Sequence, residues 1–189
     1  MTLTTTLADI RAAHPCHVGW VKLNKALGPD WGDKPVSFRQ ILDSNGLDDA
    51  LWCLRVLPPE MEGQIRLLAC DFAETALKYV PAGEDRPRLA IETARRFVAG
   101  SATCEELAAA GAAARAAARA AAWAAAWAAA WAAARGAAGG AARGAAAEAA
   151  WGAGGEAEGA AARAAAWDEQ CQIFARWLDQ FEALDADHA

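Results

Sequence analysis

GAAARAAARAAAWAAAWAAAWAAARGAAGGAARGAAAEAAWGAGGEAEGAAARAAAW runs from Gly111 to Trp167, and it reads as helix before any tertiary structure is considered. Its bulky side chains keep one register. Arg115, Arg119, Trp123, Trp127, Trp131, Arg135, Arg143, Trp151, Arg163 and Trp167 are separated by multiples of four. An α-helix turns about 100° per residue, so a four-residue step drifts only about 40° around the axis. Trp123, Trp127 and Trp131 therefore share one face, with Arg119 and Arg135 flanking it. Almost everything between them is Ala or Gly, and Ala has the highest helix propensity of any residue. Gly136, Gly139 and Gly140 predict a turn, giving an alanine-rich helical hairpin whose return arm is interrupted near Gly152–Gly155. The Trp stripe has two readings. It is a packing seam of the hairpin, or it is a platform for bases, sugars or a partner's aromatic rings, with the two arginines adding charge.

Outward from this stretch the pattern stays helical. No segment shows the period-two alternation of a half-buried strand, so the expected fold is all-α with no sheet. Pro58-Pro59 should stop a helix, which divides the chain into an N-terminal helical module, 1–57, and an alanine-rich helical domain, 58–189. In the module, Leu7 to Arg11 predicts a first helix ending near His14-Pro15. Val18 to Leu27 predicts a second, closed by Gly28-Pro29. Ser37 is placed to cap Phe38–Ser44, and Asp48 or Asp49 to open a fourth helix. Beyond the prolines, Met61–Val80 carries apolar residues at helical spacing. Asp85 stands where an N-cap belongs and Pro87 in the first turn, for a helix running through Val98 to Gly100. Ser101 or Thr103 is expected to cap the alanine-rich helix, with Glu105 and Glu106 in its first turn.

Composition narrows the function class. The formal net charge is −6, the wrong sign for non-specific nucleic-acid binding, which neutralises phosphates with Lys and Arg. The end of the chain concentrates the acid: Asp168, Glu169, Asp179, Glu182, Asp185 and Asp187 stand against Arg176 alone after Trp167. That run reads as a solvated helix end or as a docking surface for a basic partner. Five cysteines at wide spacing form no disulfide framework, and they read as reduced thiols in a cytoplasmic protein. The start of the chain lacks the pattern of a signal peptide. The uncharged run Ala120–Ala134 is shorter than the about 20 residues that span a bilayer. No membrane association is expected.

Chemistry-bearing clusters are few. His14-Pro15-Cys16-His17 offers three donors, but a zinc site wants a fourth ligand at recognisable spacing, so no metal is expected. Asp71 and Glu74 could share acid–base work, and equally could pair with Arg86, Arg88, Arg95 or Arg96. No nucleophile elbow, phosphate loop or dinucleotide fingerprint occurs. The reading is a non-enzyme without a cofactor.

LLACDFAETALKYVPAGEDRPRLAIETARRFVA, residues 67–99, resembles the Imm-5-like family of bacterial immunity proteins. The resemblance rests on Ala69, Phe72, Ala73, Glu74 and Leu77, on Asp85-Arg86-Pro87, and on Ala90, Ile91, Glu92, Ala94 and Arg95. The alanine-rich region then follows, so roughly residues 60–180 are covered. HPCHVGWVKL at 14–23 and GLDDALWCLRVL at 46–57 resemble modules of phage and prophage proteins. Together these resemblances imply a non-catalytic inhibitor of a protein partner, either a toxin or a bacterial defence complex such as a CRISPR effector. A helical nucleotide-binding protein using the Trp/Arg faces is the reading from another class.

Overall fold

A computed structural model describes residues 2–80, 82–121 and 159–186 of the chain. Among these, eight α-helices carry the fold: α1 (Leu7–Ala12), α2 (His17–Leu27), α3 (Phe38–Asn45), α4 (Leu47–Cys53), α5 (Glu62–Glu74), α6 (Arg86–Val98), α7 (Cys104–Ala121) and α8 (Gly159–Ala186). The fold is all-α. The expectation of no sheet needs one correction. Strands β1 (Thr4–Thr5) and β2 (Val36–Ser37) pair antiparallel, Thr4 opposite Ser37 and Thr5 opposite Val36. Two residues per strand are too few to show alternation, which is why no period-two signal marks them. The chain forms two compact units. Residues 1–58 and 174–189 make the first, and 59–173 the second. The first unit thus takes in the chain up to Pro58 and the end of α8.

In the first unit, local side chains set the helix starts. The Thr6 hydroxyl accepts from the Asp9 amide at 3.1 Å and donates to its carboxylate at 2.6 Å. Ser37 and Gln40 form a reciprocal capping box at the head of α3. Helix α4 starts at Leu47 from Gly46 (φ +90°), with Asp48 and Asp49 inside its first turn instead of capping it. Ile10, Leu23, Val36, Phe38, Ile41, Leu47, Leu51 and Leu54 are buried, as are Phe174, Trp177 and Leu178 from α8. Burying an aliphatic or Phe side chain fully contributes about 1.5–3 kcal/mol, so this aromatic-aliphatic set outweighs the caps.

The second unit is built on small residues. Helix α5 packs on α6 and α6 on α7. The buried positions are largely Ala69, Ala73, Ala76, Ala90, Ala94, Ala114 and Ala117, with Ile65, Leu68, Phe72, Ile91 and Leu107 as knobs. Such surfaces allow helix axes to approach to about 8 Å. At Gly63 a Cβ would already touch the Val98 side chain at 3.4 Å. Helix α5 ends at Glu74, not Val80, and a short 3-10 turn over Leu77–Tyr79 follows. Gly100 (φ +71°) closes α6. Its N–H donates to the Phe97 carbonyl and that of Ser101 to the Arg96 carbonyl, which satisfies the last turn. Thr103, rather than Ser101, caps α7. Its hydroxyl accepts from the Glu106 amide at 3.2 Å, and Glu106 accepts from the Thr103 amide at 2.7 Å.

Candidate protein-binding surface

Asp168, Glu169, Asp179, Glu182 and Asp185 fall on α8, the first two in the second unit and the others in the first. In the first unit Phe174, Trp177 and Leu178 are buried, and rings Phe174–Trp177 and Trp177–Phe181 lie 5.7 and 4.9 Å apart. This pins one face of the helix and leaves Asp179 and Glu182 on another. Asp179 is 62% exposed and Glu182 42%. Both carboxylates nevertheless meet Arg39 of α3. Arg39 pairs with Asp179, reaches Glu182 at 3.4 Å, and donates to the Ala175 carbonyl at 3.1 Å. The acidic end is therefore more than a solvated tail, because two of its members hold α8 to α3. Sequence reasoning missed Arg39. Its partners lie more than 130 residues away, and no local pattern marks such a pairing.

In the second unit Asp168 is exposed, while Glu169 pairs with Lys78 at 3.0 Å. Asp185 lies within α8, and its side chain is outside the described residues, as is Asp187. The stripe residues Trp123, Trp127, Trp131 and Arg135, and the Arg119 side chain, also lie outside them.

The D-R-P segment is organised differently from the expectation. Asp85 precedes α6 as the boundary residue, but its side chain caps no amide; it pairs with Arg88 at 2.8 Å, and Arg88 also pairs with Glu92 at 2.8 Å. Glu84 takes the capping part, accepting from the Arg86 amide at 3.1 Å and pairing with the Arg86 side chain. Arg86 thus binds Glu84, not Glu74. Pro87 is buried in the first turn, as its missing N–H permits.

Asp71 and Glu74 come together on one guanidinium. Arg95 donates to Asp71 at 2.7 Å and to Glu74 at 2.9 Å. The hydrogen bonds from Arg95 hold the Glu74 carboxyl below its ordinary pKa, and the carboxylates push the Arg95 pKa further up. A carboxylate kept ionised by a dedicated cation is a poor proton donor at neutral pH. The cluster is built as a clamp between α5 and α6. The Cys53 and Cys70 thiols are buried and pushed up to about 12 by desolvation, which makes them inert. Among the described residues, no group of three or more His, Cys, Asp or Glu is arranged to hold a metal, and no helix is long and apolar enough to cross a membrane.

No family model, curated protein or solved structure matches this chain.

Proposed function

We propose that this chain is a non-catalytic inhibitor that acts by occluding a partner protein, in the manner of a toxin antidote or of a phage-encoded counter-defence protein. One observation supports this reading above the others. Helix α8 is anchored by Phe174, Trp177 and Leu178 and presents Asp179 and Glu182 on a fixed outer face, each more than two-fifths exposed. Fixed carboxylates suit the basic groove of an enzyme that handles nucleic acid. Opposite charges raise the association rate, and salt slows it. Arg39 holds the same carboxylates at one edge, so a basic partner would meet them already ordered, with less entropy to lose on docking. The resemblance at 67–99 to immunity proteins, and of 14–23 and 46–57 to phage modules, points in the same direction. The chain meets that partner in the cytoplasm.

The test uses the full chain as bait in its native host, followed by titration against the purified enzyme it retains. Inhibition should saturate near one equivalent and weaken as salt rises from roughly 50 to 500 mM, where the screening length shortens from about 14 to 4 Å. The variant Asp179→Asn/Glu182→Gln/Asp185→Asn/Asp187→Asn should inhibit less and show a flatter salt response. Inhibition at far below one equivalent would mean turnover, and the binding reading would be lost.

A further inference from the structure

The first unit carries a second exposed face of opposite character. Helix α2 reads HVGWVKLNKAL and contains no carboxylate, in a chain of net charge −6. Its inner side is fixed. Leu23 is buried, and Gly19 lies so close to Asp49 that a Cβ there would fall 2.8 Å from the Asp49 carboxylate. Asn45 locks this approach, donating to the Gly19 carbonyl at 2.9 Å and to Asp49 at 2.8 Å. Lys22 donates to the Asn45 carbonyl at 3.1 Å. With that side anchored, helical geometry turns His17, Val18, Val21, Lys22 and Lys25 outward together, within an arc of about 140° at 100° per residue. All five are exposed. Val18 is 75% and Val21 48% exposed, and they are two of the three large apolar side chains the described surface leaves open.

Charge sets this face apart from the ion-paired surfaces of α5 and α6. In the second unit, Arg66, Lys78, Arg86, Arg88, Arg95 and Arg96 are each held in an ion pair. Lys22 and Lys25 form no ion pair among the described residues. Two valines one helical turn apart, bordered by cations with no acid on the same helix, complement an apolar ridge flanked by carboxylates. We propose that the outer face of α2 docks an acidic amphipathic helix of a partner protein, with Val18 and Val21 seated against its apolar ridge and Lys22 and Lys25 against its acids. This site is independent of the acidic face of α8, whose charge selects the opposite partner.

The probe is a fluorescein-labelled helical peptide of about 20 residues with Leu at i, i+3, i+4 and i+7 spacing and Glu on its flanks, the helix-in-groove pattern. The control replaces every Glu with Lys. Anisotropy is read on titration with the full chain. The Glu peptide should bind at least about tenfold tighter than the Lys peptide, and should weaken about tenfold on the Val18→Glu/Lys25→Glu substitution, a difference of about 1.4 kcal/mol. Both side chains are exposed, so the variant should keep the parent's far-UV spectrum and melting temperature. A second variant, Val21→Ser, keeps both lysines and removes only apolar contact; it should weaken both peptides by a similar factor. Equal binding of the two peptides, or unchanged binding by either variant, overturns the proposal. So does sedimentation showing that the parent self-associates through this face and the variant does not, since a second copy would then be the occupant. Binding to phosphatidylserine vesicles that the variant loses, without peptide binding, overturns it in favour of a lipid surface.

Discussion

The Gln170 side-chain amide donates to the Thr75 hydroxyl at 2.7 Å from a position with no solvent exposure, while its own oxygen has no hydrogen-bond partner among the described residues. Thr75 in turn donates to the Phe72 carbonyl at 2.8 Å. An unsatisfied buried acceptor costs about 1–3 kcal/mol, comparable to what the single bond returns. Gln170→Leu should therefore change stability by less than about 1 kcal/mol, whereas Gln170→Ala, which leaves a void, should lose roughly 2–4 kcal/mol. What Gln170 supplies is register. Sliding α8 by one turn would part Gln170 from Thr75, so this buried polar pair distinguishes one alignment. Gln170→Leu should broaden amide resonances of α5 and α8 while urea denaturation shows no loss. Sharp spectra would show that the apolar knobs set register unaided.

The contrast between Ser37 and Arg39 shows what the sequence makes legible. Ser37 stands beside the helix it caps, so the cap can be read directly, and the helix begins where it predicts. Gly28, Gly46 and Gly100 end helices for an equally local reason, positive φ. Asp85 misled because its carboxylate pairs with the Arg88 side chain instead of an amide, and Glu84 accepts from the Arg86 amide. Arg39, Gln170 and the β1–β2 ladder depend on partners far along the chain, and nothing within a few residues announces them. For the candidate surface, the acidity of α8 was legible, but its use as an internal brace was not.

Acid should loosen the α5–α6 clamp. Glu74 has a lowered pKa in the folded protein because Arg95 donates to it. A carboxyl of this kind stabilises fully above its unfolded pKa, near about 4.3, and loses that contribution as pH falls through the lower folded value. The group is partly exposed, which limits the effect to below about 1 kcal/mol. Melting temperatures measured from neutral pH down to about pH 3 should fall less steeply for Glu74→Gln than for the parent. Parallel curves would show that other carboxyls dominate acid unfolding.

Thiol reagents should sort the cysteines by burial. Cys16 and Cys104 are exposed, Cys171 is half-buried, and Cys53 and Cys70 are buried with pKa values raised to about 12. Because the thiolate is the nucleophile, an aromatic disulfide reagent near neutral pH should label Cys16 and Cys104 first and Cys171 more slowly. Cys53 and Cys70 should react only as fast as the native structure opens, and guanidinium should equalise all five. Early labelling of Cys70 would place an opening between α5 and α6.

Arg39 should matter more to stability than either acid it holds. It makes three contacts, to Asp179, to Glu182 and to the Ala175 carbonyl, and its side chain is only 27% exposed. Arg39→Met removes all three, whereas Asp179→Asn leaves the carbonyl and Glu182 contacts in place. The expected order of loss is about 1–2 kcal/mol for Arg39→Met and less than about 1 kcal/mol for Asp179→Asn or Glu182→Gln, since exposed pairs contribute little. A double-mutant cycle on Arg39 and Asp179 should give a coupling of about 0.5–1 kcal/mol at low salt. Screening should reduce that coupling as salt rises, while the bond to the Ala175 carbonyl persists. Zero coupling would leave the Asp179 carboxylate wholly available to a partner. A coupling well above this range would mean that any protein binding Asp179 must first break the brace, and the docking surface would then have to lie elsewhere on α8.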